Sequence, residues 1–283
     1  MRNTLVKSIA ISTAALFIQT ASAQVLLTDD FTVNANSNDP NFELTNGRQS
    51  GPLAPVRYTG WQNQHQVGNT TTDVGQPGGA TNGNFVLLAF DGCFYSDLDI
   101  ASVATGPVTI DFDMYLTGAN NPSTDPTTWA AFTLSANLAN ASWPIVGAGE
   151  FGFLARVNGG AIAWQNGNPL TDWDTPGLTT STHWTFIFSD PSGTNSAFNG
   201  NGSQVTVING GTNNLGALPL SQLDSAGLRI GFRDLGNRFA GIANLSVTGT
   251  PAALPGHNLS FEYDTTAPGT SVPTVPTSWT PFS

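Results

Sequence analysis

The sequence predicts an all-β protein built as a sandwich of two antiparallel sheets, and three observations point there. Charged residues make up 10% of the 283-residue chain, against roughly 25% in an ordinary soluble domain. Lysine and glutamate, the staples of helix surfaces, are reduced to Lys7 and to Glu43, Glu150 and Glu262. Asn, Thr, Ser and Gly take their place, and these suit strand faces and tight turns. Short alternating apolar segments then recur along the chain, punctuated by Asn-Gly pairs, the strongest short hairpin signal.

The elements follow in order. Residues 1–23 read as a secretory leader. Arg2 and Lys7 form a basic start, 8–20 an apolar stretch, and Ala21-Ser22-Ala23 a small-x-small cleavage pattern, so Gln24 becomes the new N-terminus. The apolar stretch is too short to insert across a bilayer, which takes about 20 residues. Strands are expected at 25–33, 84–90, 108–116, 128–134, 150–157 and 161–165, then at 182–189, 203–208, 228–233 and 239–248. Asn158-Gly159, Asn166-Gly167, Asn199-Gly200 and Asn209-Gly210 mark turns between them. Residues 34–81 are polar and glycine-rich, and read as loops with short edge strands. The best helical candidate, 221–226, is about one turn long. Residues 24–249 form the sandwich domain. From 250 to 283 the prolines are too dense for a central ladder and describe an extended tail, with one edge strand allowed at 259–263.

Removing the leader takes the net charge from −11 to −13. The six remaining arginines, scattered in sequence, make no basic stripe, so nucleic acid is excluded as a partner and polyanions are disfavoured. Cys93, the one cysteine, cannot form an internal disulfide and reads as a buried small hydrophobe.

Three pieces carry a family resemblance. They are the opening 27–31 (Leu-Thr-Asp-Asp-Phe); the pair 183–186 (His-Trp-Thr-Phe) and 204–210 (Gln-Val-Thr-Val-Ile-Asn-Gly); and the closing pair 227–233 (Gly-Leu-Arg-Ile-Gly-Phe-Arg) and 239–248 (Phe-Ala-Gly-Ile-Ala-Asn-Leu-Ser-Val-Thr). Together they resemble the concanavalin A-like lectin/glucanase superfamily, including its laminin-G-like members. The resemblance implies a jelly-roll form of the two-sheet antiparallel sandwich, and a carbohydrate-binding or carbohydrate-degrading role. The whole chain is also similar to exported, Asn/Thr-rich proteins of environmental bacteria that carry a C-terminal tail.

In 109–115 (Thr-Ile-Asp-Phe-Asp-Met-Tyr), strand alternation sends Ile110, Phe112 and Met114 inward, and Asp111, Asp113 and Tyr115 outward together. Glucanases of the resembled family carry Glu-x-Asp-x-Glu on such a strand. Here both glutamates are replaced, so Asp111, Asp113 and Tyr115 would be the catalytic set only if the chain were an enzyme, and the expected role is a polar sheet face. The stretch 57–65, with Arg57, Tyr58 and His65, holds the residue types of a lyase and reads as an ordinary polar loop. Sugar sites pair aromatic rings with amides and carboxylates. Trp164-Gln165-Asn166 and Asp172-Trp173-Asp174 have that mixture and are the expected binding residues, with Trp61-Gln62-Asn63 a third instance. Trp129, Trp143 and Trp184 are expected in the core. Asp29-Asp30 is a candidate for a structural calcium; zinc and copper find no ligand set. The expected function is a secreted, non-catalytic lectin-like module for a neutral poly- or oligosaccharide. The alternatives are a polysaccharide hydrolase or lyase on the same fold, and a purely structural surface or matrix protein.

Overall fold

The computed structural model describes residues 22–31, 41, 44, 47–61, 65–69, 84–89, 93–117, 129–136, 149–156, 159–175, 177, 182–190, 197–198, 203–221, 223, 227–235 and 239–251. The chain divides into two compact units, Met1–Ala252 and Ala253–Ser283, and the second lies outside the described residues. So do Trp143, most of the helical turn expected at 221–226, and the edge strand expected at 259–263.

Strand follows strand. The first half holds β1 (Gln24–Asp29), β2 (Gln49–Ser50), β3 (Tyr58–Trp61), β4 (His65–Asn69), β5 (Asn84–Ala89) and β6 (Cys93–Asp99), then a single helical turn, α1 (Ile100–Val103), capped by Asp99. After it come β7 (Ala104–Thr117), β8 (Trp129–Ser135), β9 (Phe151–Arg156), β10 (Ala161–Gln165) and β11 (Asn168–Trp173). The last five are β12 (Thr182–Ser189), β13 (Gln204–Asn209), β14 (Asn213–Pro219), β15 (Arg229–Leu235) and β16 (Phe239–Pro251). They pair antiparallel into two sheets that make a jelly-roll sandwich. One runs β14-β13-β12-β7-β16-β1-β2, with β5 also on β16 and β4 on β5; the other runs β11-β10-β9-β8-β15-β6-β3.

The first strand lies against the last, Gln24 opposite Gly249 and Asp29 opposite Leu245. β1 stops four residues short of its expected end for a local reason. The Phe31 amide donates to Asp29 Oδ1 at 2.9 Å, and Phe31 takes φ 54°, so the chain leaves the ladder there. β6, β11 and β14 escaped the periodicity reading. β11 and β14 are sheet edges with mostly exposed side chains, so they lack an apolar alternation to detect.

Alternation places the core where it was expected. Ile110, Phe112 and Met114 of β7 and Trp184, Phe186 and Phe188 of β12 are buried between the sheets. Phe112 and Phe186 stack at 5.5 Å, Phe132 reaches Phe186 at 4.8 Å, and Phe232 meets Phe112 edge-on at 4.9 Å. These separations lie in the favourable range for aromatic pairs, and losing one such ring from a packed core costs about 3–5 kcal/mol. Cys93 is buried and takes part in no disulfide among the described residues.

Candidate functional site

The outer face of the seven-stranded sheet carries the site. On β10, Ala161, Ala163 and Gln165 are buried on the core side, which leaves Ile162 and Trp164 facing out. Asn166 and Gly167, at φ 54° and 73°, make the two-residue turn into β11. Asp172 pairs with Ile162, and Pro169 pairs with Trp164 beyond a register shift. Ile162, Trp164, Pro169, Leu170, Thr171 and Asp172 line an open groove of about 530 Å³. The Trp164 Nε1 is buried and has no hydrogen-bond partner among the described residues.

The strip extends inward across the sheet. Ala131 of β8 and Leu154 of β9 are paired and form an apolar cluster of their own, with Trp129 and Trp164 both packed against it. Trp129 therefore belongs to the outer face. It was expected in the core because the strand reads almost continuously apolar, and its parity with Ala131 decides otherwise. The Arg156 guanidinium lies over Trp129, its Cζ 4.2 Å from the ring centroid. Sequence reasoning missed this pair because the two residues lie 27 positions apart and only the pairing of β8 with β9 joins them.

Of the other expected binding residues, several have structural work. Trp173 pairs with Ala161, which turns its ring to the core side, away from Trp164. Its Nε1 donates to the Leu215 carbonyl at 3.1 Å. The two rings thus lie on opposite faces and form no common platform. Gln165 is buried and exchanges two bonds with the Ser221 backbone, Nε2 to O at 2.9 Å and N to Oε1 at 2.8 Å. Asn166 shapes the turn and accepts from the Gly149 amide at 3.1 Å. Asp174 is exposed past the end of β11. The Trp61 side chain, with Gln62 and Asn63, lies outside the described residues.

A second polar cluster occupies the outer face of the other sheet. β7 pairs with β12, setting Asp113 opposite His183 and Asp111 opposite Thr185. His183 Nδ1 lies 2.8 Å from Asp113 Oδ1, and its Nε2 lies 3.6 Å from Asp111 Oδ1. Thr185 Oγ1 donates to Asp111 at 2.6 Å, and Asn244 Nδ2 donates to Asp113 Oδ2 at 2.6 Å. Asn244 reaches in from a register shift in β16, where it adopts φ 52°. Hydrogen bonds to Asp111 and Asp113 raise the His183 pKa to about 9, so the ring is an imidazolium at neutral pH. Asp111 and Asp113 do face outward, as alternation required; the Tyr115 side chain lies outside the described residues. Retaining hydrolysis needs two carboxyls poised across a glycosidic bond, one of them carrying a proton to the leaving group. Here both serve as acceptors around one imidazolium.

Asp29 does not suit a calcium ion. It is buried, forms an ion pair with Arg48 (Nε to Oδ1, 2.9 Å), and accepts from Arg48 Nη2 at 3.2 Å, Gln49 Nε2 at 2.7 Å, Tyr58 OH at 2.8 Å and the Phe31 amide. Burial pushes its carboxyl above the ordinary value, and these donors, Arg48 first, draw it back toward ionisation. A carboxylate already saturated by an arginine and three other donors offers a cation little. Asp30 beside it is exposed, and no metal-binding group of three or more His, Cys, Asp or Glu occurs among the described residues. Tyr58 is held in this buried network, so the 57–65 stretch does not present it to a substrate. No helix among the described residues is long and apolar enough to cross a membrane.

No family model matches the sequence, and no curated protein does. Among solved structures, the chain is similar to the carbohydrate-recognition domain of Emp46p in its metal-free form, at 11% identity over 77% of this chain and 93% of that one, TM-score 0.45. It is similar to peanut lectin with a nine-residue peptide, at 10% identity over 70% and 99%, TM-score 0.42. The VIP36 exoplasmic/lumenal domain in its Ca²⁺/Man-bound form gives 10% over 61% and 80%, TM-score 0.41. The architecture described above rests on this chain's own strand order and register.

Proposed function

We propose that this chain is an exported, non-catalytic glycan-binding sandwich that docks a sugar ring on Trp164, on the outer face of the seven-stranded sheet. The observation that carries the reading is the groove itself. A half-exposed indole whose Nε1 has no partner among the described residues borders an apolar trough, with Asp172 along its rim. An apolar pyranose face stacks on such a ring while rim groups bond its hydroxyls. Stacking reads the neutral rings of a poly- or oligosaccharide. Export is supported by the leader pattern, and by the fact that β1 begins at Gln24, the residue after the expected cleavage point. The catalytic alternative loses its carboxylate pair to His183.

One stacked ring contributes about 0.5–1.5 kcal/mol. Affinity for a monosaccharide should therefore sit near the millimolar range, about −4 kcal/mol, and rise with chain length. Calorimetry of the parent and of Trp164→Ala against a neutral oligosaccharide series tests the reading. The variant should keep its fold and bind about two- to tenfold more weakly. Equal affinity of the two proteins, or no binding by the parent to any glycan offered, overturns it.

A further inference from the structure

The six arginines of the mature chain are scattered in sequence, but strand register gathers three of them on one face. Arg229 and Arg233 of β15 pair with Ser135 and Ala131 of β8, and Arg156 of β9 pairs with Trp129. All three share the outer face of the seven-stranded sheet with Trp164. The acids nearby are Asp172 at the groove rim, Asp99, which β6 sets opposite Arg229 and which accepts from the Ala101 and Gly227 amides, and Glu150, whose carboxylate accepts from Ser135 Oγ at 2.6 Å and the Ala136 amide at 2.9 Å.

Arg156 is the one that borders the apolar strip. The sequence holds 19 acids against 8 basic residues, yet among the described residues no carboxylate pairs with Arg156, and its buried Nε has no acceptor. It is stacked on Trp129 instead, and Trp129 packs against the same Ala131–Leu154 pair as Trp164. A guanidinium held over an indole is pre-oriented, and its planar N–H fork matches a carboxylate or sulfate in two-point contact. Trp164 is level with Gly152 and Thr133, four residues along β8 from Trp129 and two strands away. Strand spacings of about 4.8 Å and rises of about 3.4 Å per residue put the two Cα atoms roughly 17 Å apart, with the Ala131–Leu154 pair between their rings.

We propose that the Trp129–Arg156 stack binds an acidic substituent, a carboxylate or a sulfate ester, of an oligosaccharide whose other end stacks on Trp164. The inference rests on the glycan-binding reading and adds a charge preference to it. The remaining surface, acidic overall, favours a glycan with few acidic groups over a dense polyanion.

Calorimetry at low and high salt tests it on the mature chain, with three probes of equal length: a neutral glucan oligosaccharide, an oligouronate and a sulfated galactan oligosaccharide. The parent should bind one acidic probe about tenfold more tightly than the neutral one at low salt, and lose that margin at high salt. Which acidic probe gains tells carboxylate from sulfate. In Arg156→Met the margin should vanish, and in Arg156→Lys it should shrink, since a lysine keeps the charge without the planar fork. Neutral and acidic probes bound equally by the parent, or an undiminished margin in Arg156→Met with its fold intact by circular dichroism, overturns the inference and leaves the Trp164 groove standing. A Trp164→Ala variant that binds every probe like the parent overturns the glycan reading, and this inference with it.

Discussion

His183 shows how a single side chain can organise a sheet face. Its ring sits between two carboxylates on the neighbouring strand, and its side chain is 40% exposed. Its folded pKa, about 9, lies above the ordinary 6.5 because Asp111 and Asp113 accept its protons. A group whose pKa is raised on folding contributes stability that is full below the unfolded pKa and disappears as pH rises through the folded one. Unfolding free energy should therefore decline between about pH 6.5 and 9, and His183→Gln should flatten that decline. Denaturant titrations of both proteins across the window check this, and parallel curves would contradict it. The outward placement of Asp111 and Asp113 was legible from alternation alone. His183 was not assigned to them, because it lies 70 residues further along the chain and only the β7–β12 register brings it opposite. Asn244 was less legible still, since its role depends on a local left-handed turn inside a strand.

At the scale of elements, the hairpin of β10 and β11 decides which tryptophan can meet a ligand. Trp164 and Trp173 look equivalent in sequence, each beside amides or acids. Asp172 and Trp173 end a strand, and strand parity sends their side chains to opposite faces. The missing signal was the edge strand itself, whose polar composition hid its pairing. The buried Asp29 cluster ties elements in another way, joining β1 to β2 through Gln49 and to β3 through Tyr58, with Arg48 as counter-charge. Removing one member of a buried ion pair costs about 3–5 kcal/mol because the partner is left uncompensated. Asp29→Asn should lose stability on that scale, equally in calcium and in chelator. A loss confined to calcium-containing buffer, measured by thermal melts, would show that a metal and not Arg48 is its partner.

Across the whole molecule, composition and alternation were enough to read the sandwich and its antiparallel pairing. Those features follow from local patterning and from which faces need burial. The candidate site was half legible. Trp164 stood out by its neighbours, whereas Trp129 and Arg156 join it only through pairing between β8, β9 and β10, which no linear stretch records. The proposed ligand contact lies on one outer face, that of the seven-stranded sheet, while the Asp111–His183–Asp113 face has a structural part. A titration of the indole N–H resonances with a neutral hexasaccharide separates these assignments in one experiment. The Trp164 Nε1–H signal should move progressively, while those of the buried Trp184 and the core-facing Trp173 stay fixed. A stationary Trp164 signal, with shifts gathered instead around His183 and Thr185, would contradict the account.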